Sequence, residues 1–390
     1  MKVAHIIPSI APVRGGPSKA IIEMVDALQN KGVCVEIITT NDNGNNLLNV
    51  PLYRQTVYEK VPVTFFPRLC LSSKAIQEFN FAWSLTKWLW GHISDYDLIH
   101  VHTLFNYPST IAMVIAKWRK IPYIIRPCGM LLKWSLQQKA TKKELYLKLI
   151  EEANINYSQR IHYTALQEKE EAQVLNLKTK DFILPLGLTI PELIPRSKEK
   201  LINLYDIPKN IPIILFLSRI HEKKGLDFLV NALGKLSLDF RLIIAGSGEP
   251  DYEDKIKNLI TSNNLKNKVI WAGFVEGELK NTLLQGSDLF ALTSYSENFG
   301  IAVLEALASG LPVVITPGIA LSSMVKDNDL GYICDLDIDS IYLAITRALS
   351  NPEKLEDMSR RGRKFIQKNY SWDKIAKDLV DVYKEIIKDK

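Results

Sequence analysis

Residues 2–40 read KVAHIIPSIAPVRGGPSKAIIEMVDALQNKGVCVEIITT. A short apolar run, Lys2 to Pro8, precedes a turn around Gly15-Gly16, and apolar residues then recur at helical spacing. Lys31-Gly32 ends the helical pattern, and the β-branched run from Val33 to Thr40 suits a strand buried on both faces. A strand, a helix and a second strand of these lengths predict a βαβ unit with a right-handed crossover.

The same alternation continues along the chain and restarts after a proline-rich passage. Before that passage we predict strands at Val61–Phe66, Leu98–Val101, Tyr123–Arg126, Arg160–Tyr163 and Phe182–Leu184. After it we predict strands at Ile211–Leu217, Arg241–Ala245, Val269–Ala272, Leu289–Leu292 and Pro312–Ile315. The fold class is therefore α/β, with two Rossmann-like, doubly wound domains that face each other across a central cleft.

The length of 390 residues suits two domains of nearly equal size. The linker is placed in the proline-rich passage from Pro185 to Pro208. We predict an N-terminal domain over residues 1–188 and a C-terminal domain over residues 189–370. The amphipathic C-terminal helix, residues 371–390, is expected to pack back on the first domain.

Composition narrows the class of protein. With 47% hydrophobic and 24% charged residues the chain is globular. The four cysteines, Cys34, Cys70, Cys128 and Cys334, are far apart and without zinc-ligand spacing, which favours reduced thiols. The first apolar run is too short for a signal peptide, and no stretch approaches 18 uncharged apolar residues. We expect a cytoplasmic protein.

The charge is uneven, although the net value is only +6. Lys60 to Lys148 holds thirteen Lys/Arg against four acidic residues, and five of the seven tryptophans lie there. Helices are expected near residues 81–92 and over 131–150, where Lys133, Lys139, Lys142, Lys143 and Lys148 fall. Lysine with tryptophan is typical of peripheral membrane contact. The alternative, ordinary core helices with solvated lysines, stays open.

The strongest chemical motif is the segment from Ser294 to Ala306 in the second half. Glu297 lies in a loop after a strand, and Glu305 lies seven residues later in the next helix. The helix is expected to start near Phe299 to Gly300, so that its free N–H groups suit a phosphate. The spacing alone equally allows a dipole-stabilising Glu297 and a solvated Glu305.

A second motif follows the first strand of the second half. Arg219 and Lys224 stand in the loop Ser218 to Gly225, where they are suited to clamp a diphosphate. A solvated basic loop is the alternative, and the position at a strand end favours function.

The glycine loops give weaker signals. Neither Gly15-Gly16 nor Gly246-Ser247-Gly248 completes the GxGxxG pattern, so a nicotinamide-dinucleotide site is poorly supported. Gly15 and Gly16 nevertheless permit a ligand to approach the backbone closely.

Two histidines end a predicted strand. His100 and His102 alternate on it and therefore share one face. The sequence offers no third ligand that would make them a metal site. A structural role for His102 is the alternative to a functional one.

Together these segments resemble the retaining glycosyltransferase family 4, of the two-domain GT-B fold. The resemblance spans almost the whole chain and is carried by Gly15-Gly16-Pro17-Ser18, His100-Val101-His102, Arg126-Pro127-Cys128-Gly129-Met130, Ser218-Arg219, Lys224-Gly225, Ala245-Gly246-Ser247-Gly248, Ala272-Gly273-Phe274, Glu297-Asn298-Phe299-Gly300, Leu304-Glu305-Ala306 and Gly310-Leu311-Pro312-Val313-Val314. Two departures are Leu186, where the family usually has Asn in a Pro-Asn-Gly turn, and Asn298, where Gly is common.

The resemblance implies a role for each matched position. Arg219 and Lys224 would be catalytic groups that hold the donor diphosphate, Glu297 would bind the donor sugar, and His102 would face the transferring sugar. The implied donor-binding positions are Gly15, Gly16, Gly246, Phe274, Val275, Asn298, Phe299, Gly300, Ile301 and Glu305, with Glu305 on the ribose and Phe274 and Val275 near the base.

The expected activity is retaining transfer from a nucleotide-diphosphate sugar, most often a UDP-sugar in this family. The acceptor would be a glycan or lipid-linked glycan of a cell-surface polysaccharide pathway, reached at the inner face of the cytoplasmic membrane. No metal or other cofactor is expected, because an Arg, a Lys and a helix N-terminus replace a DxD-type cluster. No nucleic-acid partner is expected. The alternatives are a nucleotide-sugar epimerase and a non-catalytic, basic membrane-surface protein.

Overall fold

The computed structural model describes residues 1–69, 74–137 and 140–389. Two compact units are present: Met1–Gly187 with Trp372–Lys390, and Leu188–Ser371. The chain therefore passes between the units twice, after Gly187 and after Ser371.

The first unit is built on an eight-stranded sheet in the order β10-β9-β8-β7-β1-β2-β6-β5. All neighbours are parallel except the edge pair β5 and β6. Its strands are β1 (Lys2–Ile6), β2 (Cys34–Thr40), β5 (Gln55–Tyr58), β6 (Val61–Phe66), β7 (Leu98–His102), β8 (Tyr123–Arg126), β9 (Arg160–Tyr163) and β10 (Asp181–Ile183), and a small hairpin is formed by β3 (Asp42–Asn43) and β4 (Asn46–Leu47).

Helices cover the faces of this sheet. They are α1 (Gly16–Asn30), α2 (Lys74–Phe79), α3 (Trp83–His92), α4 (Tyr107–Arg119), α5 (Lys133–Gln137), α6 (Ala140–Tyr146), α7 (Glu152–Tyr157), α8 (Leu166–Ala172) and the C-terminal α17 (Trp372–Lys388). A π-helical segment, Leu147–Glu151, joins α6 to α7. Helix α17 packs against α1.

The second unit has a six-stranded, wholly parallel sheet in the order β13-β12-β11-β14-β15-β16. Its strands are β11 (Ile213–Leu217), β12 (Arg241–Ala245), β13 (Val269–Gly273), β14 (Leu289–Leu292), β15 (Val313–Ile315) and β16 (Gly331–Ile333). Its helices are α9 (Ser197–Tyr205), α10 (Leu226–Gly234), α11 (Pro250–Ser262), α12 (Gly277–Gly286), α13 (Ile301–Ala308), α14 (Ser322–Asp327), α15 (Ile338–Leu349) and α16 (Pro352–Asn369).

The central strands are apolar because helices cover them on both faces. Strand β11, for example, is buried at all five of its positions. In the first unit the core on one side of the sheet joins Ile99 and Val101 of β7 to Leu85 and Leu89 of α3.

Three of the cysteines lie in the described residues, and all three are free thiols: Cys34, Cys128 and Cys334. Cys70 lies outside the described residues. No helix in the described part of the chain has both the length and the apolar composition that crossing a membrane requires.

Candidate active site

The sheet of the second unit reverses its direction of growth between β11 and β14. The chain adds β12 and β13 on one side of β11, and then adds β14, β15 and β16 on the other. Ligands of open parallel sheets bind beyond the carboxyl ends of the strands at such a reversal. The loop after β11 carries Arg219 and Lys224, and the loop after β14 carries Glu297.

Close packing holds these two loops together. A 3₁₀ turn over Glu222–Lys224 ends at Gly225, whose φ is +62°. A Cβ at Gly225 would lie 2.0 Å from the carbonyl oxygen of Thr293, the residue that follows β14. Only glycine permits that approach, and it fixes where the neighbouring Lys224 points.

Lys224 and Glu297 form an ion pair between the two loops. Both side chains are mostly buried, and the Ser294 hydroxyl also donates to Glu297 Oε1 at 3.1 Å. An ammonium has three donor positions and a carboxylate several acceptor positions, so each group keeps capacity for a ligand while paired. The structure thus brings together two predicted residues that are 73 positions apart in sequence.

Arg219 lies in the same loop with its side chain exposed. Its positive charge adds to the effect of burial in lowering the pKa of the nearby His221. The loop therefore carries an exposed cation, Arg219, as well as the mostly buried Lys224.

Helix α13 begins at Ile301, and Gly300 is its N-cap with φ +86°. Its first bond is that from Val303 N to Gly300 O, at 2.8 Å, so the N–H groups of Ile301 and Ala302 precede the helical hydrogen bonds. The preceding Phe299 is buried. This turn lies next to Glu297 in the chain, and its N–H groups stand where the sequence predicts phosphate binding.

Glu305, one turn into α13, pairs with Lys280 of α12 at 2.7 Å. Both side chains are mostly buried. Sequence reasoning missed Lys280, because a single lysine in an amphipathic helix has no distinguishing pattern. The pair links α12 to α13.

Three further predicted donor positions, Gly246, Phe274 and Val275, follow β12 and β13. Gly246 has φ +145°, and a Cβ there would lie 1.9 Å from the carbonyl oxygen of Ser218. Glycine is therefore required at this position by loop packing alone. Phe274 is 66% exposed and Val275 is buried, and Asn298, next to Glu297, is half-buried.

The first unit has its own reversal, between β1 and β7. Gly15, with φ +74°, ends a 3₁₀ turn after β1, and α1 starts at Gly16. Arg14 Nε donates to Asp42 Oδ2 at 2.7 Å, and Arg68 also pairs with this buried carboxylate. The sequence gives no signal for these two ion pairs, which anchor the glycine loop.

His102 ends β7 at the same reversal and is fully buried. Its Nε2 lies 2.9 Å from Nδ1 of His5, on the neighbouring strand β1. Burial lowers the pKa of His102 well below its ordinary value, and the positive charge of Arg126 acts in the same direction. His102 is therefore a neutral imidazole at neutral pH.

The expectation that His100 and His102 lack a third partner was wrong. His5 lies with them, and one nitrogen of each ring falls within 4.8 Å of the others, a spacing that could hold a metal ion. Sequence reasoning missed His5 because residues on different strands show no common spacing. The facing nitrogens of His5 and His102 are, however, committed to a hydrogen bond with each other.

The basic, tryptophan-rich region divides between core and surface. Leu85 and Leu89 of α3 are buried, whereas Trp83 and Trp90 on the same helix are exposed. Trp118, at the end of α4, is 73% exposed.

A helix was expected over residues 131–150. The described residues of this stretch are helical over α5, α6 and the π-helical segment, and residues 138–139 lie outside the described residues. Lys139 lies outside the described residues, and the structure does not describe the Lys142 side chain.

Two family models match the chain, and their matched residues follow the two units. The model "Glycosyl transferase 4-like domain" matches residues 15–187, and "Glycosyl transferases group 1" matches residues 197–365. Together they cover most of the chain.

Curated proteins and solved structures agree with these matches. An uncharacterised glycosyltransferase of Methanocaldococcus jannaschii is 29% identical over 307 residues, 75% of this chain and 76% of that protein. The UDP-Gal:alpha-D-GlcNAc-diphosphoundecaprenol alpha-1,3-galactosyltransferase of Escherichia coli is 24% identical over 100% of this chain and 98% of that protein. The structure of sucrose-phosphate synthase from Thermosynechococcus elongatus has a TM-score of 0.81 at 18% identity and covers 100% of both chains.

Two Rossmann-like units with these loops at the sheet reversals define a GT-B glycosyltransferase, an enzyme that uses a nucleotide sugar. The chain belongs to the group 1 glycosyltransferases, with a glycosyltransferase 4-like first domain.

Proposed function

We propose that this enzyme is a retaining, metal-independent transferase that moves a sugar from a UDP-sugar to a lipid-linked glycan. The observation that carries the proposal is the Lys224–Glu297 pair beside the N-terminal turn of α13. Positive charge, N–H donors and a carboxylate occur together at the reversal of the six-stranded sheet. A sugar diphosphate requires all three, since its phosphates are anionic and its sugar carries hydroxyls.

Each donor-site group has a part in this proposal. Lys224 and the exposed Arg219 hold the diphosphate, together with the N–H groups at the start of α13. Glu297 accepts hydrogen bonds from the sugar, and Glu305, held by Lys280, does so from the ribose. The exposed ring of Phe274 lies where a base could stack.

Metal independence follows from how charge is balanced. As the nucleotide leaves, negative charge grows on its phosphate oxygens and must be stabilised. Lys224, Arg219 and the α13 dipole supply positive charge at that place without an ion. Donor binding at the predicted positions and activity without a cofactor are parts of the same proposal.

Retention follows if the acceptor attacks from the face on which the nucleotide leaves. The bond from the anomeric carbon to the phosphate oxygen breaks, the acceptor oxygen bonds to that carbon, and the acceptor proton passes to the leaving phosphate. Gly15 and Gly16 allow the donor to approach the backbone closely, and His102 orients the transferring sugar. In this mechanism His102 does not remove a proton. Its lowered pKa, which keeps the imidazole neutral, agrees with this role.

The acceptor is proposed to be carried on a lipid of a polysaccharide pathway. The named Escherichia coli relative acts on a diphosphoundecaprenol-linked sugar. A lipid-linked acceptor requires membrane proximity, and the exposed Trp83, Trp90 and Trp118 of the basic region suit a membrane surface. The enzyme would then work in the cytoplasm, at the inner face of the membrane.

Retention and metal independence can be tested without an acceptor, by monitoring the slow hydrolysis of UDP-glucose in EDTA with proton NMR. We expect α-glucose to appear first, before mutarotation, at a rate that added Mg²⁺ or Mn²⁺ leaves unchanged. Initial β-glucose would contradict retention, and activity that requires added metal would contradict metal independence. A new UDP-linked sugar without release of free sugar would identify an epimerase instead.

A further inference from the structure

Five buried polar side chains form a cluster in the first unit. They come from four different elements, and each is fully buried: His5 on β1, His100 and His102 on β7, His162 on β9 and Tyr383 on α17. The proposed function uses only His102. Buried polar groups are costly unless they are hydrogen-bonded, and these five side chains are hydrogen-bonded to one another.

Hydrogen bonds connect the five side chains in one continuous series. His162 Nε2 lies 2.8 Å from the carbonyl oxygen of Leu184, and His162 Nδ1 lies 3.4 Å from His100 Nε2. His100 Nδ1 lies 2.7 Å from the Tyr383 hydroxyl, which is 3.2 Å from His5 Nε2. The series ends with His5 Nδ1 at 2.9 Å from His102 Nε2.

The Leu184 carbonyl sets the direction of the first half of this series. A carbonyl oxygen can only accept, so His162 Nε2 carries the proton. Burial and the charge of Arg126 lower the pKa of His162 to about 3, so its Nδ1 is bare and accepts from His100 Nε2. His100, equally buried, then has a bare Nδ1 that accepts from the Tyr383 hydroxyl.

The second half follows in the same way. Because the Tyr383 proton points to His100, the tyrosine oxygen accepts from Nε2–H of His5. Burial and the charge of Arg126 lower the pKa of His5 to about 3, so its Nδ1 is bare and accepts from Nε2–H of His102. His102 Nδ1 is left with a lone pair, and no described residue is its hydrogen-bond partner.

We propose that Tyr383 is a positioning residue that acts through His5 to hold His102 as the Nε2–H tautomer. His102 Nδ1, itself buried in this structure, is then an obligate acceptor, so a group that reaches it must be a donor such as a sugar hydroxyl and not a phosphate or carbonyl oxygen. The inference rests on the proposed function only where it assigns the sugar hydroxyl to His102. The C-terminal helix thereby contributes to the chemistry of a residue 281 positions earlier in the chain.

Nitrogen-15 NMR of histidine-labelled protein tests the tautomers directly and needs no activity. We expect the four buried histidines to be neutral Nε2–H tautomers at pH 7, with His102 assigned by its loss in His102→Gln. A proton on Nδ1 of His102 would overturn the inference. If the tautomers are as expected but UDP-sugars are not turned over, the proposed function fails while the series of hydrogen bonds stands.

Tyr383→Phe tests the positioning role, with Tyr123→Phe as its control. Tyr123 is also a buried tyrosine of this unit, and its hydroxyl donates to the Asn154 carbonyl at 2.5 Å, away from the histidines. Tyr383→Phe should let His5 and His102 exchange to Nδ1–H and lower kcat by about tenfold, the effect of one buried hydrogen bond, with UDP binding unchanged. Equal kcat losses in the two variants, or an unchanged His102 tautomer in Tyr383→Phe, would contradict the role. If Tyr383→Phe does not fold, the wild-type spectrum still decides the tautomer.

Discussion

The residues of the candidate site differ in how readily a sequence pattern identifies them. Lys224, Glu297 and His102 follow strand ends in recognisable segments, so their type and place could be predicted. His5 and Lys280 could not, because each becomes significant only through a partner on another element. Tyr383 resembles any apolar position of an amphipathic helix until its contact with His100 is known.

The buried histidines make the stability of the protein depend on pH. Burial lowers the pKa of each of the four, to about 3 for His5 and His162 and well below the ordinary value for His100 and His102. Below about pH 6.5 the unfolded chain binds protons that the folded chain does not, so the free energy of unfolding falls as pH falls. Each histidine contributes at most about 1.4 kcal/mol per pH unit.

Urea unfolding at several values from pH 7.5 to 5.5 measures this slope. We expect His162→Gln to reduce it by about one histidine's contribution, roughly 1 kcal/mol per pH unit. His92→Gln, which replaces an exposed histidine of the same unit, serves as the control. Identical slopes in wild type and His162→Gln would show that folding does not lower the pKa of His162.

At the scale of elements, buried parallel strands are the best predicted part of the fold. The expected bounds of β6, β8, β9, β12 and β14 are those observed. Most of their residues are buried, since helices cover both faces of the sheets. The predicted strands do not include β5, an antiparallel edge strand, or the three-residue β16, which begins at Gly331, because edge position and short length remove the apolar signal.

Gly246, which follows β12, lies so close to the loop after β11 that a side chain does not fit there. Gly246→Ala places a Cβ 1.9 Å from a carbonyl oxygen in a loop that cannot shift freely, and its φ is +145°. We expect the variant to lose about 3 kcal/mol or more of unfolding free energy, and with it donor binding. Gly277→Ala is the matched control, because φ is also positive there, at +58°, but the space is open. Its expected cost is about 1 kcal/mol. Similar costs in urea unfolding of both variants would contradict the packing argument.

At the scale of the whole molecule, the sequence shows where charged and aromatic residues are concentrated, but it does not show which of them can contact a partner. The basic, tryptophan-rich region is visible in the sequence, but which of its aromatic rings face solvent is decided by how α3 and α4 pack. Apolar periodicity places Leu85 and Leu89 in the core and cannot by itself assign the rings between them.

Vesicle co-sedimentation tests the proposed membrane contact. We expect the protein to bind vesicles that contain anionic phosphatidylglycerol, and to bind less as salt is raised, since exposed lysines and arginines contribute electrostatically. Replacing both Trp90 and Trp118 by Ala should weaken binding by about tenfold. Leu343→Ala, which removes an exposed apolar side chain of the second unit, should have no effect. Equal binding by wild type and the double variant would exclude these tryptophans as the contact.

Calorimetric titration with UDP and UDP-glucose in the presence of EDTA tests the donor site most directly. We predict micromolar-to-millimolar binding by wild type and by Lys235→Ala, which removes an exposed lysine of the same unit. Lys224→Ala should weaken binding by about a hundredfold, because it removes a charged donor to the diphosphate. Equal binding by Lys224→Ala, or no binding of UDP-, GDP- or ADP-sugars by wild type, would contradict the assignment of the donor site to Lys224 and Glu297.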